Sequence, residues 1–369
     1  MSQLPREPAI SVHLETAAAA MDVARKSGIT IFGAGNFARS LVRALQSAGI
    51  RVAAMVVTAP QADRCDGIPV IALASLDERI RQLPMWIGVF NREATSDYAA
   101  LVAMCNAAGV PTLLAPPQYF DSVAKTMGWR YWLTERSNYD LHRAALDQAI
   151  EAMADSRSRQ QLSATIAFRL GGAPSAVPQP DTEFQYFPDF MTSGMTKQGT
   201  YVDGGAYDGD TIRQAARYLE PEQAVAFEPD PENFARLAAS VASLPFPVTC
   251  FPSGLSDVTR SLPASIGRGD ASSIGHGGED LMQVVRLDEC LPNVPIHYLK
   301  LDVEGHELAV LAGAEKCLRR YRPRLAIAGY HRWDDLWRIP RLIRQLELDY
   351  RIAYRIHAHN TFESVFYAY

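Results

Sequence analysis

The segment Tyr201–Thr211 of this 369-residue chain, YVDGGAYDGDT, combines three glycines with three aspartates. Glycines let a backbone approach a ligand closely, and a helix that begins after them directs amide N–H groups and a positive dipole end toward it. The carboxylates of Asp203 and Asp208 would repel a dinucleotide pyrophosphate. A ligand with an ammonium and a carboxylate fits better, because the amides can bind its carboxylate and an acidic side chain its ammonium.

Glu228, at the end of the next predicted strand, extends this interpretation. An acidic residue about twenty positions after a glycine loop can accept hydrogen bonds from both hydroxyls of a ribose. S-adenosylmethionine combines an amino-acid end, a ribose and a cationic sulfur, so the sequence predicts it as the cofactor. After the third strand, SGLSD is expected to meet the adenine edge. The predicted cofactor-binding residues are Asp203, Gly204, Gly205, Ala206, Gly209, Glu228, Ser256 and Asp257.

Two residues further along the chain are predicted to be catalytic. Asp302 lies in KLDVEGHE after the fourth strand, and His331 lies in AGYHRWDD after the fifth. A hydroxyl that accepts a methyl group must lose its proton to a general base, or be acidified by a metal. The ordinary pKa of histidine, about 6.5, suits a base, and Asp302 is the other candidate. A divalent metal on Asp302, Glu304, His331 and Asp334 stays open, but no ligand spacing favours it and none is predicted.

Alternating strands and helices must position these residues. The pattern begins with GITIFGAG, NFARSLVRALQSAG and IRVAAMVV, breaks at the linker GGAPSAVPQPD, and resumes at TYVDGG. Such alternation predicts parallel sheets covered on both faces, with ligands beyond the carboxyl ends of the strands. We therefore predict an α/β chain with a Rossmann-like domain at 1–127, a helical segment and linker at 128–180, and a second α/β domain at 181–369.

Four segments of the second domain occur in order at suitable spacing: VDGGAYDGDT, FEPDPENFARL, GLSD and YLKLDVEGHELAVLAGAEKCL. Together they resemble the FkbM family of S-adenosylmethionine-dependent methyltransferases, from about Phe184 to Tyr369. The resemblance implies a class I methyltransferase fold, with a seven-stranded sheet that ends in an antiparallel hairpin. It also implies methyl transfer to an oxygen, commonly of a sugar or natural product. The chain departs from the pattern at Gly204, where many members have valine or isoleucine, and at Tyr207, where many have asparagine.

The first domain carries a weaker motif. Its GAGNFA, Gly33–Ala38, fits the GxGxxA pattern of dinucleotide-binding loops. However, Thr58 stands where an NAD site needs an acid, and Arg64 is only a loose candidate for an NADP phosphate. A binding, docking or structural role is therefore favoured, and the domain resembles the nucleotide-binding-like domains of some sugar-modifying enzymes. An NAD(P)-dependent oxidoreductase and a non-catalytic nucleotide-binding protein remain the alternatives to a methyltransferase.

The composition of the chain limits the kinds of binding partner and cellular compartment that we expect. The net charge of −5 gives no general reason to bind nucleic acid or anionic membrane. Five cysteines without a CxxC motif argue against a disulfide framework, and the first fifteen residues lack the apolar core of a signal peptide. No apolar stretch is long enough to span a bilayer, and the cysteine usage fits a reducing cytoplasm, so a cytoplasmic protein is expected. The resemblance to the FkbM family implies a small-molecule or glycan acceptor. The sequence identifies neither the acceptor nor the oligomeric state.

Overall fold

The computed structural model describes residues 19–195, 199–265, 273–274 and 280–369. The first fifteen residues, in which we looked for a signal peptide, lie outside these residues. The chain forms two compact units. Unit 1 comprises the residues up to Ile150, Gln160–Pro180 and Ala358–Phe362, and unit 2 comprises Glu151–Arg159, Asp181–His357 and Glu363–Tyr369. The residues predicted as a separate helical segment and linker, 128–180, are divided between them.

Unit 1 contains a six-stranded sheet in the order β3-β4-β2-β1-β5-β6. Every pairing is parallel except that of β3 with β4 at one edge. The first strand is fully buried and runs into the glycine turn of GAGNFA, as the sequence predicts. The strands are β1 (Ile29–Phe32), β2 (Val52–Val57), β3 (Arg64–Cys65), β4 (Ile68–Ala72), β5 (Met85–Ile87) and β6 (Leu113–Leu114).

Helices connect these strands and continue beyond them. The helix that begins directly after the glycine turn buries Leu41 and Leu45 against the sheet, which follows from their helical spacing. Among the described residues, no helix is long and apolar enough to cross a membrane. The helices are α1 (Asn36–Ser47), α2 (Glu78–Arg81), α3 (Tyr98–Ala107), α4 (Pro116–Tyr119), α5 (Ala124–Met127), α6 (Arg136–Asp140), α7 (Arg143–Glu151) and α8 (Ser156–Arg169).

Unit 2 is built on a seven-stranded sheet in the order β16-β17-β15-β14-β7-β8-β9. Neighbours are parallel from β15 to β9, and β17 pairs antiparallel with both β15 and β16. The predicted class I methyltransferase fold, with its terminal antiparallel hairpin, is therefore confirmed. The strands are β7 (Thr200–Gly204), β8 (Gln223–Phe227), β9 (Val248–Phe251), β14 (Ile296–Leu301), β15 (Arg324–Ala328), β16 (Ile352–Ile356) and β17 (Ser364–Ala368).

Helices flank this sheet, and their starts follow local sequence signals. Asp230 caps the helix after β8 by accepting hydrogen bonds from the backbone N–H groups of Glu232 and Asn233, and Pro231 is the first residue of that helix. The helices are α9 (Asp189–Thr192), α10 (Asp210–Tyr218), α11 (Pro231–Val241), α12 (Leu287–Cys290), α13 (Glu307–Gly313), α14 (Glu315–Tyr321) and α15 (Asp335–Gln345).

A second sheet in unit 2 was not predicted. It has four strands in the order β10-β13-β11-β12. Strand β11 contains Pro263, which cannot donate to a ladder and interrupts the strand pattern in the sequence. The strands are β10 (Gly254–Leu255), β11 (Arg260–Ser265), β12 (Ser273–Ile274) and β13 (Asp280–Val285).

Candidate active site

The register of the central strands of unit 2 brings the predicted site residues to one edge of the sheet. Asp203 of β7 lies opposite Lys300 of β14, and Gly204 lies between Leu301 on one side and Phe227 of β8 on the other. Glu228 and Asp302 directly follow these strands. The strand order reverses between β7 and β14, because β8 and β9 continue on one side of β7 and β15 lies on the far side of β14. Open parallel sheets bind ligands outside such a switch point.

Gly205 packs against the loop after β14. It has a φ of +78°, and a Cβ atom there would lie 1.9 Å from the backbone oxygen of Asp302. Gly204 accepts the backbone N–H of Asp302 at 3.0 Å, while Gly209, also with positive φ, begins α10. Only glycine fits at position 205, because any other residue would collide with the backbone beside it.

The amide groups of this loop already have acceptors within unit 2. Gly205 and Ala206 both donate to the carbonyl of Phe227, at 3.0 and 3.1 Å, and Gly209 donates to Ala206 at 2.8 Å. Tyr207 donates to the Glu228 carboxylate at 2.8 Å. The sequence analysis assigned loop amides to a ligand carboxylate, but these four hold the turn in shape instead.

Asp203 is completely buried and has a cationic partner in its own chain. The ammonium of Lys300 lies 2.9 Å from Asp203 Oδ1 and donates to the carbonyl of Gly205 at 2.6 Å. The other oxygen, Oδ2, accepts the hydroxyls of Tyr201 and Thr211. Burial raises the pKa of Asp203, and the neighbouring ammonium opposes that shift. A cation thus already occupies the place beside Asp203 where the sequence analysis put the ammonium of a ligand.

Glu228 is 5% exposed at the end of β8. Its two oxygens accept backbone N–H groups from Tyr207 and Asp230, at 2.8 and 2.9 Å, which fixes the carboxylate at the sheet edge. Burial raises its pKa, and the backbone donors oppose the shift. Tyr207 adopts a left-handed φ of +49°, a conformation that asparagine tolerates better than most residues. In this chain a tyrosine adopts that conformation.

Ser256 and Asp257 differ in exposure. Ser256 is completely buried, and its hydroxyl lies 2.8 Å from Nε2 of His306 and 3.1 Å from a carboxylate oxygen of Asp257. Asp257 is exposed. Burial lowers the pKa of His306 and favours its neutral form. Of the two residues predicted to meet an adenine, Asp257 is therefore the one whose side chain is accessible, and both roles stay predictions.

Asp302 and His331 lie together, as the sequence predicts, but with unequal access. His331 Nε2 is 3.3 Å from Asp302 Oδ1 and 3.8 Å from Glu304 Oε2. The His331 side chain is 0% exposed, whereas those of Asp302 and Glu304 are 24% and 21% exposed. Tyr186 donates its hydroxyl to the other Asp302 oxygen at 2.8 Å. The carboxylates thus line the accessible side of the site, and the imidazole lies behind them.

The environment of His331 changes its protonation. Burial lowers its pKa, but the carboxylates of Glu307, Glu304 and Asp302 together raise it well above the ordinary value. The sequence analysis expected a base with the ordinary histidine pKa of about 6.5. In the structure the ring is buried and its pKa is raised, and both changes make it poorly suited to take a proton directly from a substrate.

Sequence reasoning missed three residues that shape this site: Lys300, Tyr186 and Glu307. Lys300 carried a readable signal, because a lysine in the middle of a buried parallel strand needs a carboxylate partner. Tyr186 lies far from Asp302 in sequence, and no local pattern connects the two. Glu307 has the position of a first-turn acid that complements the helix dipole, but its side chain is buried against His331.

The glycine turn of unit 1 lacks comparable polar groups. Thr58, after β2, is exposed, and Gly35 has an ordinary φ of −77° before α1. The ring of Phe37 stacks on that of Phe90, which follows β5, with 5.3 Å between centroids. These rings lie where the strand order of this sheet reverses, between β1 and β5. Nucleotide binding by unit 1 stays a prediction.

Comparison with known proteins finds a family match that lies within unit 2. Residues 203–352 match the methyltransferase FkbM domain. This similarity of residues 203–352 to the FkbM domain implies methylation that depends on S-adenosylmethionine. No curated protein sequence matches the chain.

A solved structure shows the same fold over nearly the whole chain. The crystal structure of a methyltransferase FkbM from Methylobacillus flagellatus KT aligns over 97% of this chain and 98% of its own, with 21% identity and a TM-score of 0.71. An rRNA methylase from Streptococcus thermophilus aligns over 49% of this chain and 90% of its own, with 16% identity and a TM-score of 0.32. A putative methyltransferase from Streptococcus mutans in complex with SAH covers 49% and 93%, with 16% identity and a TM-score of 0.31.

Proposed function

We propose that this protein transfers the methyl group of S-adenosylmethionine to a hydroxyl oxygen of a sugar, glycan precursor or secondary metabolite. One observation carries the proposal. A side chain at position 205 of the glycine loop would collide with the backbone of Asp302, so the loop and Asp302 are in direct contact. The carboxylate of Asp302 is partly exposed. A proton acceptor therefore lies directly beside the loop that resembles a methyl-donor site.

The residues present fit the donor. Gly205 leaves its loop without a side chain at the switch point of the sheet. Glu228 is held there as a carboxylate whose oxygens can accept ribose hydroxyls, and Asp257 is accessible beyond the third strand. Because Lys300 already neutralises Asp203, we assign Asp203 the role of fixing the loop through Lys300 and Gly205. When bound, S-adenosylmethionine supplies a methyl group that its sulfonium has already activated.

Asp302 is the residue we assign to proton removal. Its carboxylate is accessible. Tyr186 donates a hydrogen bond to one carboxylate oxygen, and Nε2 of His331 lies 3.3 Å from the other. Asp302 would accept the proton of the acceptor hydroxyl as the new bond to oxygen forms, with alignment providing most of the acceleration. Glu304 lies beside it and can accept a second hydroxyl, an arrangement that suits adjacent hydroxyls of a sugar or polyol. His331 supports Asp302 from behind.

The test is incubation of the full chain with donor labelled in its methyl group and an extract of the source cells. We expect one labelled small molecule or glycan that carries a methoxy group. The same incubation with Asp302→Asn should lose most of the label, because the amide cannot accept the proton. Label on a nitrogen or carbon atom would contradict O-methylation, and a rate that Asp302→Asn leaves unchanged would contradict the role of Asp302.

A further inference from the structure

Three ionisable side chains lie buried behind Asp302 in unit 2. Glu307 begins α13, His331 follows β15, and Asp335 begins α15, and all three are 0% exposed. Buried ionisable groups carry a large desolvation cost unless they pair with one another. Their arrangement therefore needs a reason beyond the stability of the fold.

Glu307 joins two parts of the site through one oxygen. Its Oε1 atom lies 2.8 Å from Nδ1 of His331 and accepts the backbone N–H of Val303 at 3.0 Å. Val303 lies in the loop that carries Asp302 and Glu304. A single carboxylate thus holds both the imidazole and the loop whose acids face the accessible side of the site.

This contact fixes the orientation of the ring. An ionised carboxylate only accepts hydrogen bonds, so Nδ1 of His331 must be the protonated ring nitrogen and donates its N–H to Glu307. The opposite nitrogen, Nε2, then faces Asp302 at 3.3 Å and Glu304 at 3.8 Å. A flipped or displaced ring would remove this contact from the Asp302 carboxylate.

We propose that Glu307 is a positioning residue for the reaction: it orients His331, and through His331 it holds the Asp302 carboxylate that accepts the proton. This inference rests on the function proposed above. It differs from the ordinary role of an acid in the first turn of a helix, which is to face solvent and complement the dipole. Glu307 faces inward and contacts an imidazole.

The surrounding charges agree with a positively charged ring between acids. Glu307, Glu304 and Asp302 all raise the pKa of His331, and the imidazolium offsets part of their mutual repulsion. Asp335 approaches from α15 and accepts the backbone N–H of Arg332 at 2.8 Å. Burial and the charge of Glu307 raise the pKa of Asp335 to about 8, which keeps this further carboxyl protonated at neutral pH.

The experiment compares Glu307→Gln with a matched control, Glu315→Gln. Glutamine keeps an oxygen that can accept from Val303, so the fold should survive while the negative charge is lost. Glu315 is also a first-turn helix acid, but its side chain is 52% exposed and pairs with Arg319. Three quantities are measured on the full chain: the Nδ1–H resonance of His331 in histidine-labelled protein, assigned with His331→Asn; the Kd of S-adenosylhomocysteine; and the rate of label transfer into cell extract at saturating donor.

In Glu307→Gln we expect the downfield Nδ1–H resonance to move or vanish and the transfer rate to fall about tenfold to hundredfold. The Kd of S-adenosylhomocysteine should stay within about threefold of the wild-type value. Glu315→Gln should match the wild type in all three. An unchanged resonance or rate in Glu307→Gln overturns the inference, and so does a parallel loss of folding or ligand binding. A wild-type protein that transfers no label would refute the proposed function instead, while the resonance still tests the orientation of His331.

Discussion

The two units of this protein contain the same local device, a parallel strand that runs through a glycine turn into a helix, with different surroundings. In unit 2 the turn after β7 is followed by Glu228 on the next strand and backed by the buried Asp203–Lys300 pair. In unit 1 the turn after β1 has Thr58 on the next strand and an exposed Arg39–Asp66 pair.

The difference teaches that a glycine turn becomes a candidate site through its neighbours. Gly205 has a positive φ and touches the Asp302 backbone, whereas Gly35 has an ordinary φ and no atom within 4 Å of where its Cβ would be. The glycine of unit 2 is required by geometry before any ligand binds. In unit 1 it is Gly33 that has a positive φ, +114°, with its Cβ position 3.0 Å from the backbone oxygen of Gly88, whereas Gly35, before the helix, has no such requirement.

The largest effect is expected for Gly205→Ala. A methyl group there meets a backbone oxygen, and the backbone must also keep a left-handed φ, so unit 2 should lose about 3 kcal/mol or more and its ligand affinity with it. Gly35→Ala in unit 1 should cost less than about 1 kcal/mol, the weak preference for glycine at a helix start. Urea unfolding of both variants measures this contrast. Equal losses would show that the two turns are equivalent.

Next in size is Lys300→Met, which leaves the Asp203 carboxylate buried without its cation. Removing one partner of a buried pair typically costs about 3–5 kcal/mol. Adding Asp203→Asn should restore much of this stability, because the uncompensated charge is then gone. Arg39→Met, which breaks the exposed pair of unit 1, should change the unfolding midpoint little. If Lys300→Met unfolds at the wild-type midpoint, the pair does not stabilise the loop.

A smaller effect concerns pH and the buried acids of unit 2. The pKa of Asp335 is about 8 in the folded protein, against an ordinary value of 3.8. Folding therefore favours the protonated carboxyl, and this stabilisation is complete below about pH 4 and lost as pH rises to 8. Asp335→Asn should flatten the fall in Tm between pH 5 and 8.

Asp66→Asn is the control from unit 1. Arg39 lowers the pKa of the Asp66 carboxyl, so any stability it contributes is present above the ordinary pKa and lost only as pH falls below it. The slope of Tm between pH 5 and 8 should be unchanged in this variant. An identical slope in wild type and Asp335→Asn would show that Asp335 ionises normally.

Much of the fold was readable from the sequence. Alternating apolar runs and glycine turns predicted β1, β2, β7, β8, β14, β15 and the terminal hairpin, because buried parallel strands are short continuous apolar runs. Strand β4 and the four-stranded sheet were not predicted. Pro69 and Pro263 lie within their strands, and proline argues against a strand when only local sequence is considered.

The site was readable only where its residues follow a strand directly. Glu228 and Asp302 have that signature, whereas Lys300 has meaning only through the register that places it opposite Asp203. Exposure was not readable either. The sequence ranks His331 first as a base, and only the packing shows that Asp302 is accessible and His331 buried.

The most direct test of this account is calorimetric titration of S-adenosylhomocysteine into the full chain, Glu228→Gln and Thr58→Ala. We predict one binding site in the wild type, an affinity at least about tenfold weaker in Glu228→Gln because charge-assisted hydrogen bonds to the ribose are lost, and no change in Thr58→Ala. The account is contradicted if the wild type gives no heat at millimolar ligand, or if Thr58→Ala weakens binding and Glu228→Gln does not.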